Sequence, residues 1–216
     1  MNNHNLKYIV VEGPIGVGKT SLAQRLSDEF GSTLLLEHVD DNPFLERFYQ
    51  NPQEAALSTQ LYFLLQRIRQ LQEFKQADIF SPVRVADFLI EKDRLFAQVT
   101  LNASEYDLYE QIYSHLTIDA PKPDLVVYLQ APVEVLLQRI RKRGRGYERL
   151  IETAYLEQLN EAYAKFFYNY DGAPCLIVNA SDIDFINNDQ DYEQLLSEIL
   201  NTEAGKRYFN PLPFVS

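Results

Sequence analysis

A chain of 216 residues, 46% hydrophobic and 24% charged, is long enough to bury a large core and has the balance of an ordinary globular domain. Its net charge of −11 argues against a nucleic-acid polymer as the main partner, because phosphate backbones are met by basic faces; a mononucleotide held by a local Arg/Lys cluster stays open. No apolar run approaches the roughly 18 residues of a membrane span, and the lone Cys175 leaves no internal disulfide to form, which suits a reducing compartment.

The N-terminal Met1-Asn2-Asn3-His4-Asn5 is polar and lacks the basic and apolar regions of a signal peptide, so a cytoplasmic location is expected. Lys7-Tyr8-Ile9-Val10-Val11-Glu12 then reads as a buried strand. The next segment, Gly13-Pro14-Ile15-Gly16-Val17-Gly18-Lys19-Thr20, fits the phosphate-loop pattern G-x-x-x-x-G-K-[ST] at every fixed position. Ser21 follows, in a helix whose apolar residues fall at 22, 23, 26 and 30. Strand, glycine loop and helix start are the context this motif requires. Residues 13–21 are therefore expected to hold a triphosphate, with Lys19 on the β and γ phosphates and the Thr20 hydroxyl on Mg²⁺.

Further strand-length apolar runs are Thr33–Leu36, Val83–Ala86, Asp124–Leu129 and Cys175–Val178, with Cys175 read as a small core residue. Between them lie helix-like stretches, such as Leu57, Leu61, Leu64, Leu65, Ile68 and Leu71. The alternation predicts an α/β fold with a five-stranded parallel sheet flanked by helices. Residues 202–216, including the aromatic Tyr208–Phe214 segment, read as a non-periodic tail that packs on the domain or on a partner subunit. In a parallel sheet ligands collect at the carboxyl ends of strands, which selects Glu12, Glu37 and Asp87 for inspection.

A phosphate loop alone does not separate kinases from GTPases or ATPases, but the N-K-x-D base-recognition segment of switch GTPases is absent. Glu37, after the second strand, suits a base that takes the proton of an alcohol acceptor; a monophosphate acceptor is already anionic and needs none. Asp87, after the third strand, suits a Mg²⁺ ligand, although Asp is also a good helix N-cap. Arg139, Arg143 and Arg145 lie in a run that includes Arg141 and Lys142, and Gly144 and Gly146 allow it to move as a lid over phosphates. A basic helix terminus complementing the dipole is the plainer alternative. Gln60 and Arg67, two turns apart on one helix, present an amide and a guanidinium to a base edge, with Asp93 to hold the arginine. Taken singly, Tyr49, Gln60, Arg67 and Asp93 read as surface residues.

Together these residues resemble the deoxynucleoside kinase family over about residues 7–200, within a P-loop kinase fold. The resemblance rests on the phosphate loop, Glu37 at the place of the catalytic base, and Tyr49-Gln50-Asn51-Pro52 followed by Gln60 as a Y-x-x-P…Q segment. It rests equally on the Arg67 and Asp93 pair and on Arg139…Arg143-Gly144-Arg145…Glu148 as the lid motif R-x-x-x-R-G-R-x-x-E. It implies ATP and Mg²⁺ as cofactors, a small deoxynucleoside as substrate, a homodimer, and a kinase domain at 1–201 with its lid at about 139–150. It further implies that Tyr49 and Glu148 bind the sugar and that Gln60 and Arg67 bind the base, deoxyadenosine or deoxyguanosine in preference to thymidine. Two positions depart from the pattern. Phe88 stands where the family has an arginine that supports the base and the transferred phosphate, with Arg94 or Arg84 as possible substitutes; His38 stands where proline is usual and reads as a loop residue. A nucleoside monophosphate kinase is the enzymatic alternative, with Arg47, Arg69 or Arg84 on the acceptor phosphate. A nucleotide-binding module that has lost its chemistry is the non-enzymatic one.

Overall fold

Short apolar runs separated by helix-length segments become parallel strands, because a parallel pair needs a long crossover between its members. A computed structural model of the chain describes residues 6–76, 83–117 and 119–211. Its strands are β1 (Tyr8–Glu12), β2 (Thr33–Leu35), β3 (Arg84–Ala86), β4 (Leu125–Gln130), β5 (Cys175–Asn179) and β6 (Lys206–Phe209). Its helices are α1 (Lys19–Phe30), α2 (Leu45–Gln50), α3 (Pro52–Gln76), α4 (Lys92–Thr100), α5 (Ala103–Leu116), α6 (Val133–Arg143), α7 (Thr153–Asn169) and α8 (Asp189–Leu200). The strands form one sheet, all parallel, in the order β2-β3-β1-β4-β5-β6.

The sheet thus has six strands, where the apolar runs predict five. Lys206–Phe209, inside the segment read as a tail, pairs in parallel with Cys175–Val178. An edge strand has one neighbour and needs little apolar surface. Only Phe209 of this Lys-Arg-Tyr-Phe run packs against the core, and Tyr208 stays exposed, so hydropathy carries almost no signal for it. The sheet therefore extends past residue 201. Met1–Asn5 and the end of the aromatic tail, from residue 212, lie outside the described residues.

Side chains alternate across the central strand and build two cores. Ile9 and Val11 point to one face, where Leu22 and Leu26 of α1 and Leu195 and Ile199 of α8 cover them. Tyr8 and Val10 point to the other, against Leu95 of α4 and Leu159, Tyr163 and Phe167 of α7. Cys175 is buried in this second core, and burial pushes its thiol up to about 12, which suits an inert packing residue. A third apolar cluster joins α3, α4 and α5 through Leu64, Ile68, Leu71, Ala97, Tyr109 and Tyr113, and Phe88 is one of its members.

The chain runs from β1 outward to β2, returns to β3, and then crosses to β4 on the far side of β1. In open sheets a reversal of this kind leaves a crevice at the carboxyl ends of the strands. Here it lies beyond β1 and β3.

Candidate active site

The loop after β1 is shaped by glycines that no other residue replaces. Gly13 has φ +153°, and a Cβ there would lie 2.3 Å from the Leu129 carbonyl oxygen. Gly18 has φ +109° and stands as the N-cap of α1 without a side-chain cap. The first N–H groups of α1 are thereby left without a capping side chain, next to the loop where a phosphate would sit. The Lys19 ammonium donates to the Gly13 carbonyl at 2.7 Å and to the Pro14 carbonyl at 3.3 Å. Burial, and then the nearby Lys92, brings its pKa down to about 8 against the pull of Glu12, Glu37 and Asp87.

Asp87 ties three segments together. It accepts from the Thr20 hydroxyl at 2.6 Å and from the Glu37 backbone N–H at 2.7 Å. It caps no helix: α4 begins only at Lys92. Burial, followed by the Glu37 charge, raises its pKa. A hydroxyl and a carboxylate side by side at the phosphate loop are the hard oxygen donors Mg²⁺ takes when triphosphate oxygens complete its shell. Residues Thr20 and Asp87 therefore fit that ion.

A cavity of about 360 Å³ opens from this point and is lined by Lys19, Thr20, Glu37, Tyr49, Gln60 and Arg67, among others. It falls within the size range of small-molecule sites. Of the four residues that read singly as surface, three are buried: Gln60 is 3%, Arg67 4% and Asp93 0% exposed, while Tyr49 is half-buried. Arg67 of α3 donates to Asp93 of α4 and to Glu37, and the Tyr109 hydroxyl of α5 donates to Asp93 at 2.9 Å. Asp93 does not line the cavity; it stands behind Arg67 and holds it. The second Glu37 oxygen accepts from Lys92 at 3.1 Å. Burial pushes the Glu37 carboxyl upward, but Arg67, Lys92 and Lys19 outweigh it and hold the group well below the usual carboxylate range. Glu37 is therefore ionised.

The orientation of Gln60 follows from its neighbour. The Thr100 hydroxyl donates to the Phe96 carbonyl at 2.7 Å, so its oxygen is free to accept, and it does so from the Gln60 amide nitrogen at 3.2 Å. One N–H of the amide is spent on Thr100, which leaves the carbonyl and the other N–H for a ligand in the cavity. Thr100→Val is expected to raise the nucleoside KM several-fold at nearly constant kcat, read from initial rates at saturating ATP.

The segment read as a lid contributes residues to the cavity wall. α6 ends at Arg143, with Gly144 as its C-cap at φ +75°. Arg143 pairs with the buried Glu148, and Arg145 reaches Asp40 at 3.3 Å. The Tyr147 hydroxyl also donates to Asp40, and its ring lies parallel to that of Tyr49, 6.1 Å away. Arg143, Arg145 and Glu148 line the cavity. Arg139 does not line it. Its guanidinium donates to the carbonyls of Val17 (3.1 Å) and Ala180 (2.7 Å), clamping the phosphate loop to the segment after β5.

Neither proposed substitute for the missing arginine is at the site. Arg94 pairs with Glu110 at 2.8 Å, half-exposed, and Arg84 donates to the Phe74 carbonyl at 2.8 Å. Besides Arg67, the cation paired with Glu37 is Lys92, which sequence reasoning passed over together with Asp40 and Tyr147. A charge at the start of a helix reads as solvated, and nothing in the spacing marks Lys92 otherwise. His38 is exposed at the rim, in the loop as expected. Among the described residues no helix is long and apolar enough to cross a membrane.

The deoxynucleoside kinase family model matches residues 9–203. The chain is 40% identical to a deoxyguanosine kinase of Bacillus subtilis over 200 residues, covering 89% of this chain and 95% of that one. It is 29% identical to a deoxyadenosine kinase of Lactobacillus acidophilus over 208 residues, 90% of this chain and 95% of that one. A solved structure of deoxyadenosine kinase from M. mycoides with its products bound superposes with a TM-score of 0.79 at 26% identity, covering 90% of this chain and 99% of that one.

Proposed function

We propose, for a chain that belongs to the deoxynucleoside kinase family, that it transfers the γ-phosphoryl group of MgATP to the 5′-hydroxyl of a purine deoxynucleoside, deoxyguanosine and deoxyadenosine first. The observation that carries this reading is the hydrogen-bonded path from Thr20 through Asp87 to Glu37 and on to Arg67. It supports the reading because a carboxylate lies between a phosphate loop and a guanidinium in one cavity.

In the proposed reaction Glu37 accepts the 5′-hydroxyl proton while that oxygen bonds to the γ-phosphorus, and the bond to the β-phosphate bridging oxygen breaks with its electron pair leaving on ADP. Lys19 turns from its loop carbonyls to the phosphates, and Arg143 and Arg145 stabilise the charge on the transferring group. Thr20 and Asp87 would hold Mg²⁺, which neutralises phosphate charge when bound. Residues 13–21 cradle the donor, and Arg139 acts by fixing the loop. Tyr49 and Glu148 take the sugar, and Gln60 and Arg67 the base. Guanine sets O6 and N7 side by side as acceptors, the pattern a guanidinium meets with two donors.

The alternative of a monophosphate acceptor has little support. Arg47 pairs with Glu54 at the surface, Arg69 is exposed, Arg84 donates to Phe74, and none of the three lines the cavity. An ATP-coupled assay over the four deoxynucleosides, adenosine and the deoxynucleoside monophosphates decides the matter. The expected result is fastest turnover on deoxyguanosine or deoxyadenosine; activity on monophosphates alone sinks the proposal. A homodimer, proposed from the family resemblance, should show about twice the 25.1 kDa chain mass in light scattering.

A further inference from the structure

A lysine is an unexpected residue at position 92. It is the first residue of α4, where the helix dipole opposes a cation, and its side chain is 2% exposed. Burying an ammonium there is unfavourable unless carboxylates and hydrogen bonds offset the lost hydration. Two carboxylates meet it, Glu37 at 3.1 Å and Glu12 at 3.7 Å, and the Phe96 ring lies 5.9 Å from the ammonium.

The two carboxylates differ in how firmly they are held. Glu12 ends β1, is fully buried, and accepts three hydrogen bonds: from the Gly13 and Leu89 backbone N–H groups, both at 2.8 Å, and from the Tyr163 hydroxyl at 3.0 Å. It is a fixed anchor on the central strand. Glu37 lies in the loop after β2, outside any helix or strand, and only its partners hold its carboxylate. Of these, Arg67 also serves Asp93 and faces the cavity that would take the base. Lys92 lines the same cavity, but its other partner is the fixed Glu12, so a base that draws on Arg67 donors leaves Lys92 as the partner tied to the sheet.

We infer that Lys92 is a positioning residue: anchored on Glu12, its ammonium holds the Glu37 carboxylate aimed at the acceptor hydroxyl through the catalytic cycle. The charges alternate along the buried chain Glu12, Lys92, Glu37, Arg67, Asp93, so each group is fixed by neighbours of opposite sign. Phe88 packs in the apolar cluster of α3, α4 and α5, which keeps that position out of the site, and the cation arrives four residues later, from the start of α4.

This inference rests on Glu37 acting as proton acceptor for a deoxynucleoside, so wild-type turnover in the substrate panel comes first. If no deoxynucleoside is phosphorylated, the functional reading fails; if wild type is active, the variants below test Lys92 alone. Lys92→Met removes the charge at similar length, Lys92→Gln removes it but keeps a donor, and Lys92→Arg keeps the charge. The neutral variants are expected to lose about 10- to 100-fold in kcat, in the range of a misplaced catalytic group, with the KM for ATP and nucleoside within about twofold of wild type. Lys92→Arg should recover most of the lost kcat. If Lys92→Met does not fold, as judged by circular dichroism, Lys92→Gln is read in its place. Wild-type kcat in a folded neutral variant overturns the inference. So does a rise in both KM values with a lowered melting temperature and no recovery by arginine, which marks a purely structural role.

Discussion

Glu37→Gln lowers kcat by about 10²- to 10⁴-fold, the range general-base catalysis contributes, while the affinity for ATP stays close to wild type. The amide keeps the size of the side chain and loses only the capacity to take a proton. ATP affinity is retained because Glu37 makes no hydrogen bond to the loop itself, and its link through Asp87 uses the backbone N–H, which the substitution leaves in place. The fold survives because each cation that loses Glu37 keeps another carboxylate, Arg67 in Asp93 and Lys92 in Glu12. Steady-state rates on the best deoxynucleoside and calorimetric titration with a non-hydrolysable ATP analogue measure the two halves of this prediction. A Gln variant turning over within tenfold of wild type removes proton acceptance from Glu37.

That prediction could be written from the sequence, because the residues behind it are marked by local order. Gly13 to Thr20 sit between an apolar strand and an amphipathic helix, and each fixed position has a backbone or phosphate reason to be what it is. Glu37 and Asp87 were legible as the first polar residues after strands of a parallel sheet. Gln60 and Arg67 were legible through their spacing, yet their burial was not, since a polar residue on a helix is ordinarily at the surface. Lys92 was not legible. Its partners Glu12 and Glu37 lie 80 and 55 positions away in the chain, and only the sheet order brings β1 and the end of β2 to the start of α4. The sixth strand escaped for a related reason: its pairing with β5 rests on backbone hydrogen bonds, which leave no trace in side-chain pattern. The basic run groups Arg139 with its helix neighbours as a phosphate contact. The turn of α6 instead carries it to the carbonyls of Val17 and Ala180.

Asp93→Ala is expected to be the most destabilising single change at the site, by about 3–5 kcal/mol, the usual cost of removing one member of a buried ion pair. Asp93 is fully buried and accepts from both Arg67 and Tyr109, so its loss leaves a guanidinium short of a partner and a phenol without one. The midpoint of urea unfolding should fall while the slope stays constant. Stability alone does not explain why such a cluster is present, since apolar groups of matching volume commonly replace a buried pair without loss. The triple variant Arg67→Met, Asp93→Leu, Tyr109→Phe tests this directly, because it removes the charges and the hydroxyl together. It should be more stable than Asp93→Ala and close to wild type in its unfolding midpoint. Its kcat/KM for purine deoxynucleosides should nevertheless fall by at least the 10- to 200-fold that 1–3 kcal/mol of lost base recognition represents. If the triple variant kept both stability and purine preference, Arg67 would have no part in reading the base. If it lost stability as severely as Asp93→Ala, the cluster would be needed for the fold itself, and recognition would be a secondary use of a structural pair.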